Sequence, residues 1–278
     1  MCGNKGCGNK EDTMTLTPEE IFNDVEKIRE RAPLVHNITN YVVMNTTANA
    51  LLAIGASPAM AHAVQEVEDM ASIAGALVIN IGTLSEEWIR AMKRAAETAA
   101  SKNIPIVLDP VGAGATFYRT ETAKALIQAA PPSIIRGNGS EIMALCDAGQ
   151  STKGVDSTSG SDQAVTAAKT LSGDTGGTVC VTGQTDYIVS ADNQIAVKNG
   201  HPMMPRVTGL GCTATAICGA FAAVNNKFDV AAAHAMAIMG IAGEMAAETA
   251  NGPGTLQLNF IDALYRISKA DIERHLNT

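Results

Sequence analysis

Ala76 to Ile81 reads A-L-V-I-N-I, Ile104 to Leu108 reads I-P-I-V-L, Ser133 to Arg136 reads S-I-I-R, and Thr178 to Val181 reads T-V-C-V. Short apolar runs without strict polar alternation suit strands covered on both faces. Helical stretches separate them at short spacing. That alternation predicts an α/β fold: a mostly parallel central sheet with helices on both faces.

The helices are marked by their ends. Thr17-Pro18-Glu19-Glu20 opens one that runs to about Arg31, with a Thr cap, Pro at the first position and Glu three after the cap. Pro33 to Asn40 reads as a strand ending in a polar loop, and Asn40 as the cap of a helix from Val42 to Ile54 that stops at Gly55. Ser57 to Ala61 is a short strand, and Ser85 to Lys102 a long helix. Gly137-Asn138-Gly139-Ser140-Glu141 opens another helix, 149–160 a Gly/Ser/Thr-rich loop, and Ser161 to Leu171 a further helix. Tyr187 to Ser190 and Gln194 to Val197 form a hairpin. An apolar helix from Val230 to about Thr249 is buried, either inside the fold or against a partner subunit.

Polar and glycine residues follow strand after strand: Asn37 and Thr39-Asn40, Gly82-Thr83, Asp109, Arg136-Gly137-Asn138, Thr182-Gly183 and Thr208-Gly209. In an open parallel sheet the strand C-termini share one edge, and ligands bind in the crevice there. Val207-Thr208 running into Gly209 and Gly211, with a small-residue helix from near Cys212, makes a glycine junction at a helix start. The first amides of a helix lack internal partners and attract negative charge, so the junction suits a phosphate. An ordinary tight turn before a buried helix has the same spelling. Neither the P-loop nor the dinucleotide fingerprint is present.

Phosphoryl transfer from ATP needs a metal to neutralise charge, a cation on the moving group and a positioned hydroxyl. Asp109 and Glu141 offer oxygens to Mg²⁺, Arg136 a planar fork for phosphate, and Gly209 to Cys212 an amide nest. Each has a plainer reading: a turn cap for Asp109, a surface ion pair for Arg136, a solvated first turn for Glu141.

Composition excludes other classes. With 20 Lys and Arg against 28 Asp and Glu, the net charge is -8, which argues against nucleic-acid binding. The six Cys show no C-x-x-C pair, so reduced thiols in a cytoplasmic protein are expected. No membrane span is expected. Residues 1–14 are read as a disordered extension, and 15–278 as a single domain without a linker break.

The segments L-V-H-N-I-T-N, G-A-S-P-A-M, N-I-G-T-L, L-D-P-V-G-A-G-A-T, I-R-G-N-x-x-E and V-T-G-L-G-C-T-A-T together resemble the hydroxyethylthiazole kinase family, of the ribokinase-like small-molecule kinases. The resemblance covers about residues 18 to 270. It implies ATP- and Mg²⁺-dependent phosphorylation of the primary alcohol of 4-methyl-5-(2-hydroxyethyl)thiazole, and a homotrimer with active sites at subunit boundaries. It further implies that Met60 and Gly209 contact the thiazole, with Asn40, Val42, Gly82 and Thr83 nearby. Arg136 and Thr182, with Asn138 and Gly183 beside them, fall to ATP, and Asp109 and Glu141 to magnesium. Cys212 stands where broader ribokinase-like kinases carry a base, and Gly209 and Gly211 form the adjoining nest. A thiol at a helix N-terminus is expected to have a lowered pKa and partial thiolate character. The rival readings are another ribokinase-like enzyme, such as hydroxymethylpyrimidine-phosphate kinase, and a non-catalytic thiazole- or nucleotide-binding regulator.

Overall fold

Thr17 caps helix α1 (Pro18–Arg31): its oxygen accepts the Glu20 N–H and its hydroxyl donates to the Glu20 carboxylate. The structure, a computed structural model, describes residues 16–146 and 157–278. The expected N-terminal extension 1–14, with Cys2 and Cys7, lies outside the described residues, as does most of the 149–160 loop.

The strands are β1 (Leu34–Ile38), β2 (Ser57–Ala59), β3 (Ala76–Asn80), β4 (Ile106–Asp109), β5 (Ile134–Asn138), β6 (Thr178–Thr182), β7 (Asp186–Val189) and β8 (Gln194–Val197). They form one sheet in the order β2-β1-β3-β4-β5-β6-β7-β8. Pairing is parallel from β2 to β6 and antiparallel from β6 to β8. The mostly parallel sheet and the hairpin are therefore as expected.

Helices cover both faces. Residues of α1, α2 (Met44–Ile54), α8 (Leu210–Ala222), α9 (Phe228–Ala247), α10 (Pro253–Arg266) and α11 (Lys269–His275) share one core. Those of α3 (Val67–Ile73), α4 (Glu86–Ser101), α5 (Phe117–Ala129), α6 (Gly139–Cys146) and α7 (Ser157–Thr175) share the other. Among the described residues, α9 is the helix long and apolar enough to cross a bilayer, yet 89% of its apolar window is buried inside the fold.

The pleat places the site. Val78, Val107, Ile134 and Cys180 point from β3, β4, β5 and β6 into the core beneath α8 and α9. Their strand neighbours Leu77, Ile79, Ile106, Leu108, Ile135, Val179 and Val181 point into the other. Side chains alternate with period two, so two residues further on Asn80, Asp109, Arg136 and Thr182 fall on the α8 side, at the C-terminal sheet edge.

Three expectations need correction. Helix α7 begins at Ser157 rather than Ser161. Asn40 does not cap α2, whose cap position is Val43 without a side-chain bond. The segment before Gly209 is a 3-10 turn, Met204–Arg206, and not a strand.

Candidate active site

Asp109 ends β4 and is almost fully buried. Its Oδ2 accepts hydrogen bonds from Asn80 Nδ2 and Thr215 Oγ1, each at 2.8 Å. Strand register puts Asn80 directly opposite Asp109, and Thr215 lies one turn into α8. Burial pushes the carboxyl pKa up to about 6, against the pull of the Arg136 charge and these donors. Asp109 is thus more than a turn cap.

Asn80 Oδ1 accepts from Asn40 Nδ2 at 2.8 Å and from the Gly82 N–H at 2.9 Å. The same Asn40 amide donates to Cys212 Sγ at 3.4 Å. The Asn40 oxygen accepts the Val42 N–H at 3.1 Å, so its role is to join loop ends and not to start a helix. The Tyr41 N–H donates to Thr83 Oγ1 at 3.3 Å, tying the loop after β1 to the loop after β3.

Helix α8 opens at Gly209, whose φ of +86° only glycine adopts without strain. The amides of Leu210, Gly211 and Cys212 donate to no partner among the described residues, as the first turn of an uncapped helix requires. They form the expected nest. Gly211 serves a second purpose: a Cβ there would lie 3.2 Å from Arg136 Nη1. The guanidinium packs against the helix start, and forms no ion pair among the described residues. Its Nε is sealed from solvent without a hydrogen-bond partner. Burial pulls its pKa down, but Asp109, Cys180, Cys218 and Asp186 together outweigh this and the net shift is upward, so the guanidinium stays charged. The surface ion-pair reading of Arg136 does not hold.

The Cys212 expectation is reversed. Burial and the Asp109 charge push its thiol pKa up, outweighing the Asn80 and Asn40 amides and the Arg136 charge.

Glu141, in the first turn of α6, is partly exposed but has partners for both oxygens. Its oxygens accept the Gly112 and Asn138 N–H groups, each at 2.8 Å, joining the loops after β4 and β5. Asn138 returns the contact by accepting the Glu141 N–H at 2.9 Å. A cleft of about 950 Å³ is lined by Arg136, Thr182, Gly183, Gly209 and Gly211, with Met204, Met236 and Met239. A polar end and an apolar wall suit a nucleotide.

Sequence residues 25–270 match the profile of the hydroxyethylthiazole kinase family. The chain belongs to that family. The hydroxyethylthiazole kinase of Syntrophus aciditrophicus is 61% identical over 95% of this chain and 98% of its own. That of Leptospira biflexa is 54% identical over 91% and 95%. The structure of the Pyrococcus horikoshii hydroxyethylthiazole kinase superposes with a TM-score of 0.86 at 44% identity, covering 93% of this chain and 98% of that one. A ribokinase-like protein from Enterococcus faecalis, at 14% identity and TM-score 0.63, shares the fold.

In this kinase the fold links Asn40, Gly82, Thr83 and Cys212 through the loops after β1 and β3, and brings Arg136, Thr182 and Gly183 to the cleft. Met60 follows the edge strand β2 and is linked differently: His62 Nδ1 lies 3.3 Å from its carbonyl, and His62 and Tyr41 both pack on Trp88, with ring centroids 4.7 and 4.8 Å away. Sequence reasoning missed Asn80, Thr215 and Arg119. Arg119 donates to the carbonyls of Ile81, Val111 and Gly82, clamping the loops after β3 and β4. Asn80 had a visible signal, as the polar residue of A-L-V-I-N-I on the same pleat face as Asp109.

Proposed function

We propose that the protein transfers the γ-phosphoryl group of ATP to the primary alcohol of 4-methyl-5-(2-hydroxyethyl)thiazole. The observation that carries this reading is the α8 start: three unpartnered amides stand beside a charged Arg136, Gly209 and Gly211 line a nucleotide-sized cleft, and Cys212 of the same turn is held by Asn40. Such a nest with a guanidinium stabilises charge on a migrating phosphoryl group. The named activity of the relatives supplies the alcohol.

Arg136, Thr182, Asn138 and Gly183 would bind and orient ATP. Met60, Val42, Gly82 and Thr83 would hold the thiazole, with Gly209 at the ring. Cys212, as a neutral thiol, orients the hydroxyl and does not remove its proton; in a loose transition state the proton leaves late, to an oxygen of the transferred phosphoryl group, and positioning dominates. Among the described residues no group of three or more His, Cys, Asp or Glu makes a closed metal cage. This fits Mg²⁺, which usually takes one or two carboxylates and keeps its waters. Asp109 would hold it directly, since its Oδ1 accepts no hydrogen bond among the described residues. Glu141, with both oxygens engaged, would act through water. When bound, the ion neutralises phosphate charge.

The reading includes a homotrimer with a site at each subunit boundary. Tyr41 and Val42 are 66% and 65% exposed beside the proposed thiazole residues, as expected where a second copy covers them. The reduced Cys180, Cys212 and Cys218 accord with a cytoplasmic enzyme. The test is an ADP-release assay with the thiazole alcohol, with and without Mg²⁺. Alcohol- and metal-dependent ADP release supports the reading. ADP release that ignores the alcohol, or none at all, rejects it.

A further inference from the structure

The hydrogen bonds around Asp109 close on themselves. Asn40 donates to Cys212 and to Asn80, Asn80 donates to Asp109, and Thr215, three residues along α8 from Cys212, also donates to Asp109. The ends of β1, β3 and β4 are thereby tied to the first turn of one helix. Asn80 is the member that fixes the direction of this ring. Its oxygen already accepts the Asn40 amide and the Gly82 N–H, so its NH₂ must face the carboxylate. A flipped amide would set donor against donor and oxygen against carboxylate. Asn80 is 1% exposed, so no solvent repairs such a mismatch.

We propose that Asn80 is a positioning residue that holds Asn40 against the Cys212 thiol and Asp109 against Thr215, coupling the alcohol side of the site to its phosphoryl side. It does not line the nucleotide cleft. The proposal rests on the kinase reading where turnover is measured. It stands apart from that reading in its effect on Cys212, a partly exposed residue.

Asn80→Ala removes both halves of the link. Asn80→Asp keeps an oxygen for Asn40 and Gly82 but replaces the neutral amide donor with a second buried carboxyl against Asp109, so that the pair must share a proton. Three quantities separate the cases: turnover with a KM-against-kcat split, ATP binding, and the rate of iodoacetamide alkylation at Cys212, followed by peptide mass spectrometry. Asn80→Ala is expected to lower kcat/KM for the alcohol by about 100-fold, the size of effect a small misplacement of reacting groups produces. It should leave ATP affinity within about twofold and change Cys212 alkylation by about threefold or more, through loss of the Asn40 hold together with the Asn80 amide beside the thiol. Asn80→Asp is expected to lose kcat while Cys212 alkylates near the parent rate, and it carries the test if the alanine variant fails to fold. Parental turnover and alkylation in Asn80→Ala overturn the proposal, as does a loss of ATP affinity in step with kcat in both variants. If the parent shows no kinase activity, the alkylation contrast between the variants still decides whether Asn80 holds Asn40.

Discussion

The guanidinium of Arg136 lies where a side chain at position 211 would begin, with Nη1 3.2 Å from the place of that Cβ. The second glycine of G-L-G-C is therefore not an open door for ligand alone; a permanent cation of the site fills the space. Gly211→Ala is expected to push Arg136 aside by a few tenths of an ångström and lower kcat/KM for ATP by about tenfold, with the KM for the alcohol little changed. Steady-state kinetics with each substrate varied checks this.

Thr215→Val keeps the shape of the side chain and removes one of the donors to Asp109 Oδ2. Hydrogen bonds to buried charges are worth about 2 kcal/mol, so urea unfolding should show a loss of that order in the apo protein. An unchanged midpoint would mean that Asn80 alone satisfies the carboxylate.

Cys212 gives a sharper contrast. A serine hydroxyl orients an alcohol about as well as a thiol does but ionises far less readily. Since burial and Asp109 already hold the thiol protonated, Cys212→Ser should keep kcat within about threefold, and Cys212→Ala should lose about tenfold. A serine variant as poor as the alanine would restore the proton-removing role.

Outside the cleft lining, Asp24 accepts from His234 at 2.8 Å, Lys27 at 2.8 Å and Asn225 at 2.7 Å. Burial alone would raise its pKa, but these partners win and lower it to about 2. A depressed folded-state pKa contributes stability that is complete above the unfolded value of 3.8 and lost as pH falls through about 2. The shift corresponds to about 2 kcal/mol. Unfolding measured between pH 5 and pH 2 should show this loss, and Asp24→Asn should flatten that part of the profile.

Much of the site was legible because the pleat has period two. Asp109, Arg136 and Thr182 sit two residues beyond apolar positions of one core face, and their strands could be read from V-L-D, I-I-R and C-V-T. Strand register was not legible: nothing local says that Asn80 pairs with Asp109, or that Thr215 reaches across 106 residues. Arg119 looks like an exposed helical arginine, yet it clamps two loops because the fold carries α5 beneath them. Asn40 misled for a related reason, since a cap and a loop-joining amide share the same residue type. The Cys212 inference failed because a helix N-terminus was weighed without burial and the Asp109 charge, which decide the sign.

The most direct test of the phosphoryl cradle is a crystal structure of the protein with a non-hydrolysable ATP analogue, Mg²⁺ and the thiazole alcohol. The terminal phosphate should accept the Gly211 and Cys212 amides and the Arg136 guanidinium, with the alcohol oxygen within about 3.5 Å of Cys212 Sγ. A terminal phosphate bound away from the start of α8, or an alcohol oxygen remote from Cys212, would contradict the account.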